Sequence, residues 1–451
     1  MSAANGRLLP RGPSSPRVAQ AAAWIARPFA LMERCQARYG DVFTLAIEPG
    51  ATWVMFSHPD AIKEIFTGDP GIFHAGEGNV ILLPVLGPQS VLLLDDGPHL
   101  EQRKLMLPSF HGERMQRYGE LMAEIAEREI DRWPVAEPFR VWPRMQALTL
   151  EVIVRAVFGV HEPARVERMR SALKSMLDWA THPIAALALA VVGPKRLSAS
   201  GLLRRALAPV DALILDEIRL RRSATDLAER EDVLSLLLQA RHEDGSPMTD
   251  SELRDELVTL LVAGHETTAT SLSWAVERLV RNPVAFQRLR EEVRAGGDEY
   301  LDAVIKETLR LRPVIAIVVR KLTAAVEIAG HSLPAGVSVV PSVHLVHRRP
   351  EIYPDPNRFR PERFLETPAG TYSWIPFGGG TRRCLGASFA QFEMKVVLAA
   401  IARRATLHPA RPEPERFARR AISMTPGRGG EVVLSARSPS QREAEQVEVA
   451  A

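Results

Sequence analysis

One of only two cysteines in the 451 residues, Cys384, sits in the stretch Phe377-Gly378-Gly379-Gly380-Thr381-Arg382-Arg383-Cys384-Leu385-Gly386. Three consecutive glycines let the backbone take positive φ and turn tightly. The run from Leu385 to Lys395 reads as a helix, which would place the sulfur at a helix N-terminus beside two arginines. The macrodipole and the added charge both favour thiolate over thiol. Such a thiolate can be a nucleophile, a redox thiol or a metal ligand. A nucleophile would want a basic His and an orienting group nearby. A redox dithiol would want a Cys-x-x-Cys, and a zinc site more Cys or His at ligand spacing. A single thiolate as sole protein ligand suits haem iron. The ordinary alternative is a buried structural cysteine, but that would need neither three glycines nor two arginines.

A second group of reactive side chains lies in Ala263-Gly264-His265-Glu266-Thr267-Thr268. It falls in the middle of a helical pattern that opens at Thr249-Asp250-Ser251-Glu252, a capping box, and runs to Arg281 before Asn282-Pro283. About 30 residues at 1.5 Å each make ~45 Å, enough to cross the whole molecule. Gly264 costs such a helix about 1 kcal/mol against Ala. A threonine hydroxyl can bond back to a carbonyl and bend the helix. A tolerated kink would explain this, and so would a groove where the backbone opens beside a flat cofactor. Two shorter patterns carry charge. His99 and Arg103 stand four apart on one helical face, a paired cationic grip suited to carboxylate. Glu307 and Arg310 are i,i+3 neighbours, which on a surface would contribute only a few tenths of a kcal/mol.

The elements that must position these groups are mostly helical. Arg17 to Tyr39 reads as helix. Val42–Ile47 and Thr52–Phe56 form a hairpin, and a helix from about Pro59 to Phe66 follows. Gly71 to Leu94 reads as a long loop, and such a loop in a compact chain is usually functional. From Gly97 to about Ala240 helix follows helix. Beyond Pro313 the texture turns to strands, with Val314 to Val319 β-branched and apolar, a hairpin over Ala329–Val337, and late strands near Ala421–Met424 and Glu431–Leu434. Residues 1–16 read as a flexible lead, 17–436 as one domain and 437–451 as a disordered tail. The net charge of +3, without a dense basic cluster, argues against nucleic acid. Cys35 and Cys384 lie too far apart for a disulfide framework and fit a reducing compartment. Cys35, in a helical pattern, reads as an inert buried thiol. No apolar run reaches the ~18–20 residues that span a bilayer. Together these point to a soluble cytoplasmic chain with no membrane anchor.

Phe377 to Gly386 matches Phe-Gly-x-Gly-x-Arg-x-Cys-x-Gly at every fixed position, and so resembles the haem-binding loop of the cytochromes P-450. Gly264-His265-Glu266-Thr267-Thr268 resembles the same family's oxygen-activating segment. Glu307-x-x-Arg310 with Arg363 in Pro361-Glu362-Arg363-Phe364 resembles its buried triad. The connection before Tyr300 is shorter than in the family, as if a small helix were missing. The resemblance spans about Arg17 to Ala436, with five motifs in family order. It implies a mostly α fold, a large helical region with a long central helix and a smaller β-rich lobe. It also implies haem b with Cys384 as axial thiolate. His99, Arg103, Arg320 and Arg382 would hold the propionates, and Gly264, Phe377 and Gly386 would complete the cofactor site. Thr267 would hydrogen-bond the dioxygen being activated, and Glu266 would belong to the proton route. Glu307, Arg310 and Arg363 would organise the cysteine loop.

The implied activity is a monooxygenase that inserts one atom of O2 into a lipophilic small molecule. No Gly-rich turn opens a helix in a βαβ setting, so no flavin or nicotinamide segment is fused. Electrons would then come from a separate ferredoxin- or flavodoxin-type donor, docking on the cysteine side with Arg383 as a contact, and the chain would act as a monomer. A haem-thiolate peroxygenase or isomerase would share the cysteine loop but tends to lose the acid–alcohol pair. A haem sensor or electron carrier would need no proton relay. Expected lining segments are Gly71–Leu94, Trp179–Gly193, Leu260–Thr267 and Val314–Val319, largely aliphatic, which favours a fatty acid, terpenoid or steroid without choosing among them.

Overall fold

The computed structural model describes residues 9–47, 51–110, 114–180, 182, 188–189 and 192–439. Its axis is the helix Asp250–Val280, 31 residues long. The capping box forms as expected. Glu252 N donates to Thr249 Oγ1 at 3.2 Å, and Thr249 N donates to Glu252 Oε2 at 2.8 Å. From Leu253 onward almost every turn is buried, because helices Val141–Phe158, Gly201–Arg222, Glu299–Leu311 and Ala387–Arg404 pack around it. A helix buried along most of its length, with an open edge only near Ala263, cannot show a clean apolar stripe, which is why its sequence is mixed rather than amphipathic.

The β-rich part is a five-stranded sheet in the order Val42–Leu45, Trp53–Phe56, Ser338–Pro341, Arg320–Leu322, Phe73–His74. Trp53 to Phe56 pairs in parallel with Ser338 to Pro341, and the other pairings are antiparallel. A smaller core lies under this sheet, built from Val54, Phe56, Ile62, Phe66, Val339 and Ile375 among others. That core matters for the site, since Phe66 and Ile375 both touch the segment that carries Cys384.

Several expectations change. Arg17 to Tyr39 is two helices, Arg17–Ala26 and Pro28–Tyr39, because Pro28 cannot continue the first. The hairpin expected over Val42–Phe56 forms, with its turn at 48–50 outside the described residues. Val314 to Val319 is not a strand; Ile317 makes an isolated bridge to Ser342 and Val318 N donates to Pro341 O. Residues 9–16 pack rather than trail. Thr44 N donates to Arg11 O and Thr44 Oγ1 to Pro10 O at 2.6 Å. Residues 1–8 lie outside the described ones. At the other end the strand Glu431–Arg437 runs past the expected boundary, and Arg437 Nη1 donates to Asp131 O at 2.6 Å. The rest of the expected tail, from 440, is outside the described residues. The short connection before Tyr300 is bridged by Glu292. Its carboxylate accepts Tyr300 N at 2.7 Å and Leu301 N at 2.9 Å, so one side chain caps the next helix.

Gly71 to Leu94 is not an open loop. It winds through short turns at Ala75–Gly78, Val80–Leu82 and Leu83–Leu86 and then docks on the central helix. Gln89 N donates to Asp255 Oδ2 at 2.9 Å, Val91 N to Glu256 Oε1 at 2.8 Å, and Thr259 Oγ1 to Ser90 Oγ at 2.7 Å. Gly87, at φ +86°, brings the chain so close that a Cβ there would lie 2.2 Å from Asp255 Oδ1.

Candidate active site around Cys384

The cysteine loop is shaped by what it packs on. Gly378 and Gly380 take φ of +67° and +66°, the left-handed region that favours glycine. Gly379 is extended, but a Cβ there would lie 2.2 Å from the Phe66 ring, and one on Gly380 would lie 1.9 Å from Phe66 O. The triple glycine therefore serves two needs, backbone turn and close seating on the helix Pro59–Thr67. Cys384 N donates to Phe377 O at 2.9 Å and closes the loop. The following helix starts at Ala387 with Gly386 as its cap, later than expected.

Cys384 stays open to solvent contact on one side, yet protein crowds its sulfur closely. Burial pushes the thiol up; a Gly386 backbone hydrogen bond, Arg103 and Arg383 pull it down by less. The arginines pull toward thiolate as expected, but the helix begins three residues later and burial opposes them. Arg382 acts elsewhere. Its guanidinium donates to Val91 O at 3.2 Å, to Leu94 O and to Asp95, tying the cysteine loop to the Gly71–Leu94 segment. Asp95 also accepts Gly76 N at 2.8 Å and Glu77 N at 3.0 Å. Sequence reasoning missed Asp95; its signal was the Asp95-Asp96 pair at the start of the helix Asp96–Met106.

His99, Arg103, Arg320 and Arg382 come together. His99 is buried and pushed down to about 3, first by burial and then by Arg382, Arg103 and Arg320. Arg320 is pushed down to about 10 by burial and by Arg382, with Asp95 opposing. Its Nη1 donates to Val319 O at 2.9 Å. Three guanidiniums around the neutral His99 ring repel one another, with Asp95 offsetting part of that at Arg320 and Arg382, and they would be stabilised by added negative charge. A thiol within reach of Arg103 and a cationic cluster beside it fit a haem, whose iron takes a thiolate and whose two propionates are anionic.

On the central helix, Thr267 Oγ1 donates to Ala263 O at 2.6 Å, the back-bond expected of this segment. The bare edge of Gly264 meets the helix Val141–Phe158, where a Cβ would stand 2.8 Å from Ile153 Cδ1. That atom is the tip of a flexible side chain, so the packing alone does not require glycine; exposed Ala263 and half-buried Thr267 carry the open edge. Thr149 Oγ1 lies 2.9 Å from His265 Nδ1 and donates to His265 O at 3.1 Å. Burial pushes Glu266 up, and its Oε1 has no hydrogen-bond partner. The cation facing it is Arg420, from the strand Phe417–Arg420, which also reaches Asp178 at 3.3 Å. No spacing in the sequence links Arg420 to Glu266, 154 positions away in this numbering.

Glu307, Arg310 and Arg363 are brought together and buried. Arg310 donates twice to Glu307, at 2.7 and 2.8 Å, and Arg363 Nε once at 3.2 Å. Arg310 also donates to His347 O and Pro356 O, both at 2.8 Å. This is a closed ionic network, not a surface pair. Cys35 is buried and its thiol pushed up by that burial, an inert group as expected. Of the expected lining segments, most of Trp179–Gly193 lies outside the described residues. Among the described residues, no helix is long and apolar enough to cross a membrane.

Comparison with known proteins agrees with this geometry. The family model for Cytochrome P450 matches residues 10–430. A Mycobacterium tuberculosis protein that carries the name cytochrome P450 135B1 is 45% identical over 447 residues, covering 97% of this chain and 93% of that one. Another from the same organism, carrying the name cytochrome P450 137, is 37% identical over 414 residues, covering 92% and 87%. Among solved structures, a cyanobacterial CYP120A1 with retinoic acid bound superposes with a TM-score of 0.82 at 25% identity, covering 95% of this chain and 99% of that chain. This chain belongs to the cytochrome P450 family, and is a haem-thiolate monooxygenase that uses O2, a substrate and a redox partner.

Proposed function

We propose that this enzyme inserts one oxygen atom of O2 into a lipophilic small molecule, by hydroxylation or epoxidation, with Glu266 and Thr267 delivering protons. The observation that carries this reading is the pair itself: a buried, protonation-prone carboxyl one residue from a hydroxyl on the exposed edge of the central helix. Haem, when bound through Cys384, supplies the site of O2 reduction and the oxidising power. One oxygen atom goes to substrate and the other leaves as water, which takes two protons and two electrons. A largely apolar pocket holds no protons of its own, so an acid and a hydroxyl must relay them. Thr267 Oγ1, which donates to Ala263 O, would turn that hydroxyl to the relay and pass a proton on. Glu266, its carboxyl pushed up by burial against the opposing pull of Arg420, is the proton source behind it.

Cys384 would ligate the haem iron through its sulfur, and His99, Arg103 and Arg320 would hold the propionates. Arg382 meets a propionate only by sharing its guanidinium with Asp95. Glu307, Arg310 and Arg363 hold the loop that presents the cysteine. The donor is a ferredoxin- or flavodoxin-type protein that docks on the Cys384 side of a cytoplasmic, monomeric enzyme. The expected lining segments are largely aliphatic, which favours a fatty acid, terpenoid or steroid, and retinoic acid in the cyanobacterial relative belongs to the same lipophilic class.

The test uses the haem-loaded full chain with a surrogate ferredoxin and ferredoxin reductase. A library of fatty acids, terpenoids and steroids is screened for spin-state shift, then for compound-dependent NADPH consumption and oxygenated product. A hit with one oxygen added supports the reading. Shift without turnover or peroxide from any compound would favour a sensor or carrier. Cys384→Ser should abolish the red-shifted Soret band of the reduced carbon-monoxide complex.

A further inference from the structure

We propose that His347 is the positioning residue that transmits the Glu307–Arg310–Arg363 network to the loop carrying Cys384. The inference rests on the reading of Cys384 as axial ligand. His347 closes the short turn Val343–Val346 and is fully buried. Its Nδ1 donates to Arg310 O at 3.2 Å. Its Nε2 accepts the Ile375 amide at 2.8 Å. Since the amide can only donate, the ring is the neutral tautomer with its proton on Nδ1. Burial and the neighbouring Arg310 and Arg348 hold its pKa well below the usual histidine range, so the ring keeps that form. Its own carbonyl accepts Arg310 Nη1 at 2.8 Å, so residues 310 and 347 bond reciprocally.

From Ile375 the path to the cysteine is short. Gly378 N donates to Ile375 O at 3.0 Å, and Cys384 N donates to Phe377 O at 2.9 Å. Ile375 enters the loop as a buried residue of the core under the sheet. One other polar tie joins this entry to the network's helix, Trp374 Nε1 donating to Lys306 O at 3.1 Å. Thus the ionic network itself touches no residue from 375 to 384 through the bonds described, and the imidazole spans the gap. The task needs a donor and an acceptor on opposite sides of one rigid ring, which imidazole offers and a packing residue does not.

Three substitutions separate positioning from packing. His347→Gln keeps an acceptor where Nε2 stands. His347→Asn keeps a donor where Nδ1 stands but leaves the Ile375 amide without a partner. His347→Phe keeps volume and removes both bonds. The readouts are the red-shifted Soret band of the reduced carbon-monoxide complex, the haem reduction potential and amide exchange over 372–386. We expect His347→Gln to retain most of the band. His347→Asn and His347→Phe should lose most of it to an unshifted form, with Ile375 exchanging about tenfold faster or more. Equal bands and potentials in Gln and Asn variants of equal thermal stability would overturn the proposal. If the variants do not fold, exchange in the parent decides: an Ile375 amide no better protected than exposed loop amides overturns it, and a slowly exchanging one supports it. Cys384→Ser run alongside separates the two claims, because a band surviving there removes the ligand reading and leaves the His347 bonds as they stand.

Discussion

Arg420 Nε stands 3.8 Å from Glu266 Oε1, and no hydrogen bond to that oxygen competes with it. Burial raises the Glu266 carboxyl and Arg420 opposes the rise. Arg420 leans on the Trp142 ring at 4.9 Å and reaches half-exposed Asp178, so the charge facing Glu266 connects outward to solvent.

Replacing Arg420 with Gln removes the influence that lowers Glu266 and leaves burial unopposed. The folded-state pKa of Glu266 then rises further. In the pH profile of product formed per NADPH, the limb governed by Glu266 should move to higher pH. A profile that stays in place or moves to lower pH would take Arg420 out of contact with that acid.

Thr267→Ala removes the hydroxyl proposed as the relay but costs the helix nothing, since Ala is the better helix former and the lost bond was only a back-bond to Ala263 O. Melting temperature should hold or rise. NADPH consumption should continue with electrons diverted to peroxide, and product per NADPH should fall by about tenfold or more. Unchanged coupling would remove the hydroxyl from the proton route.

Glu307→Ala leaves Arg310 and Arg363 buried without their carboxylate. Breaking a buried pair on one side costs about 3–5 kcal/mol. The variant should yield mostly haem-poor protein on expression, assayed by the Soret-to-280 nm absorbance ratio. Parental haem content would show that the loop holds its shape without the network.

Glu256, buried in the central helix and accepting Val91 N, is pushed up to about 8 by burial, with Asp255 and Glu252 adding to the rise. A carboxyl raised in the folded state contributes stability that is full below its ordinary 4.5 and is lost as pH rises through about 8. Across that window its loss approaches about 1.4 kcal/mol per pH unit. Glu256→Gln keeps an acceptor for Val91 N and removes the titration. Urea unfolding between pH 5 and 9, a range of roughly that window, should show a flatter pH dependence in the variant than in the parent.

Local chemistry was legible in the chain wherever one short segment holds all its parts. Gly378 and Gly380 need their left-handed φ within the loop itself. Thr249 and Glu252 cap within one turn, and Thr267 reaches Ala263 within the next. Such features depend on spacing of four residues or fewer, and the order of the motifs along the chain then identified the family. Tertiary structure decided what spacing cannot. It faced Arg420 to Glu266, turned Arg382 toward Asp95, set Phe66 against Gly379 and bridged Arg310 to Ile375 through His347. It also set burial against the arginines at Cys384, a balance that the sequence does not show. The physical reason is common to all of these. Desolvation and long-range pairing depend on which distant segments close around a group, and that is settled only when the sheet, the central helix and the cysteine loop pack together.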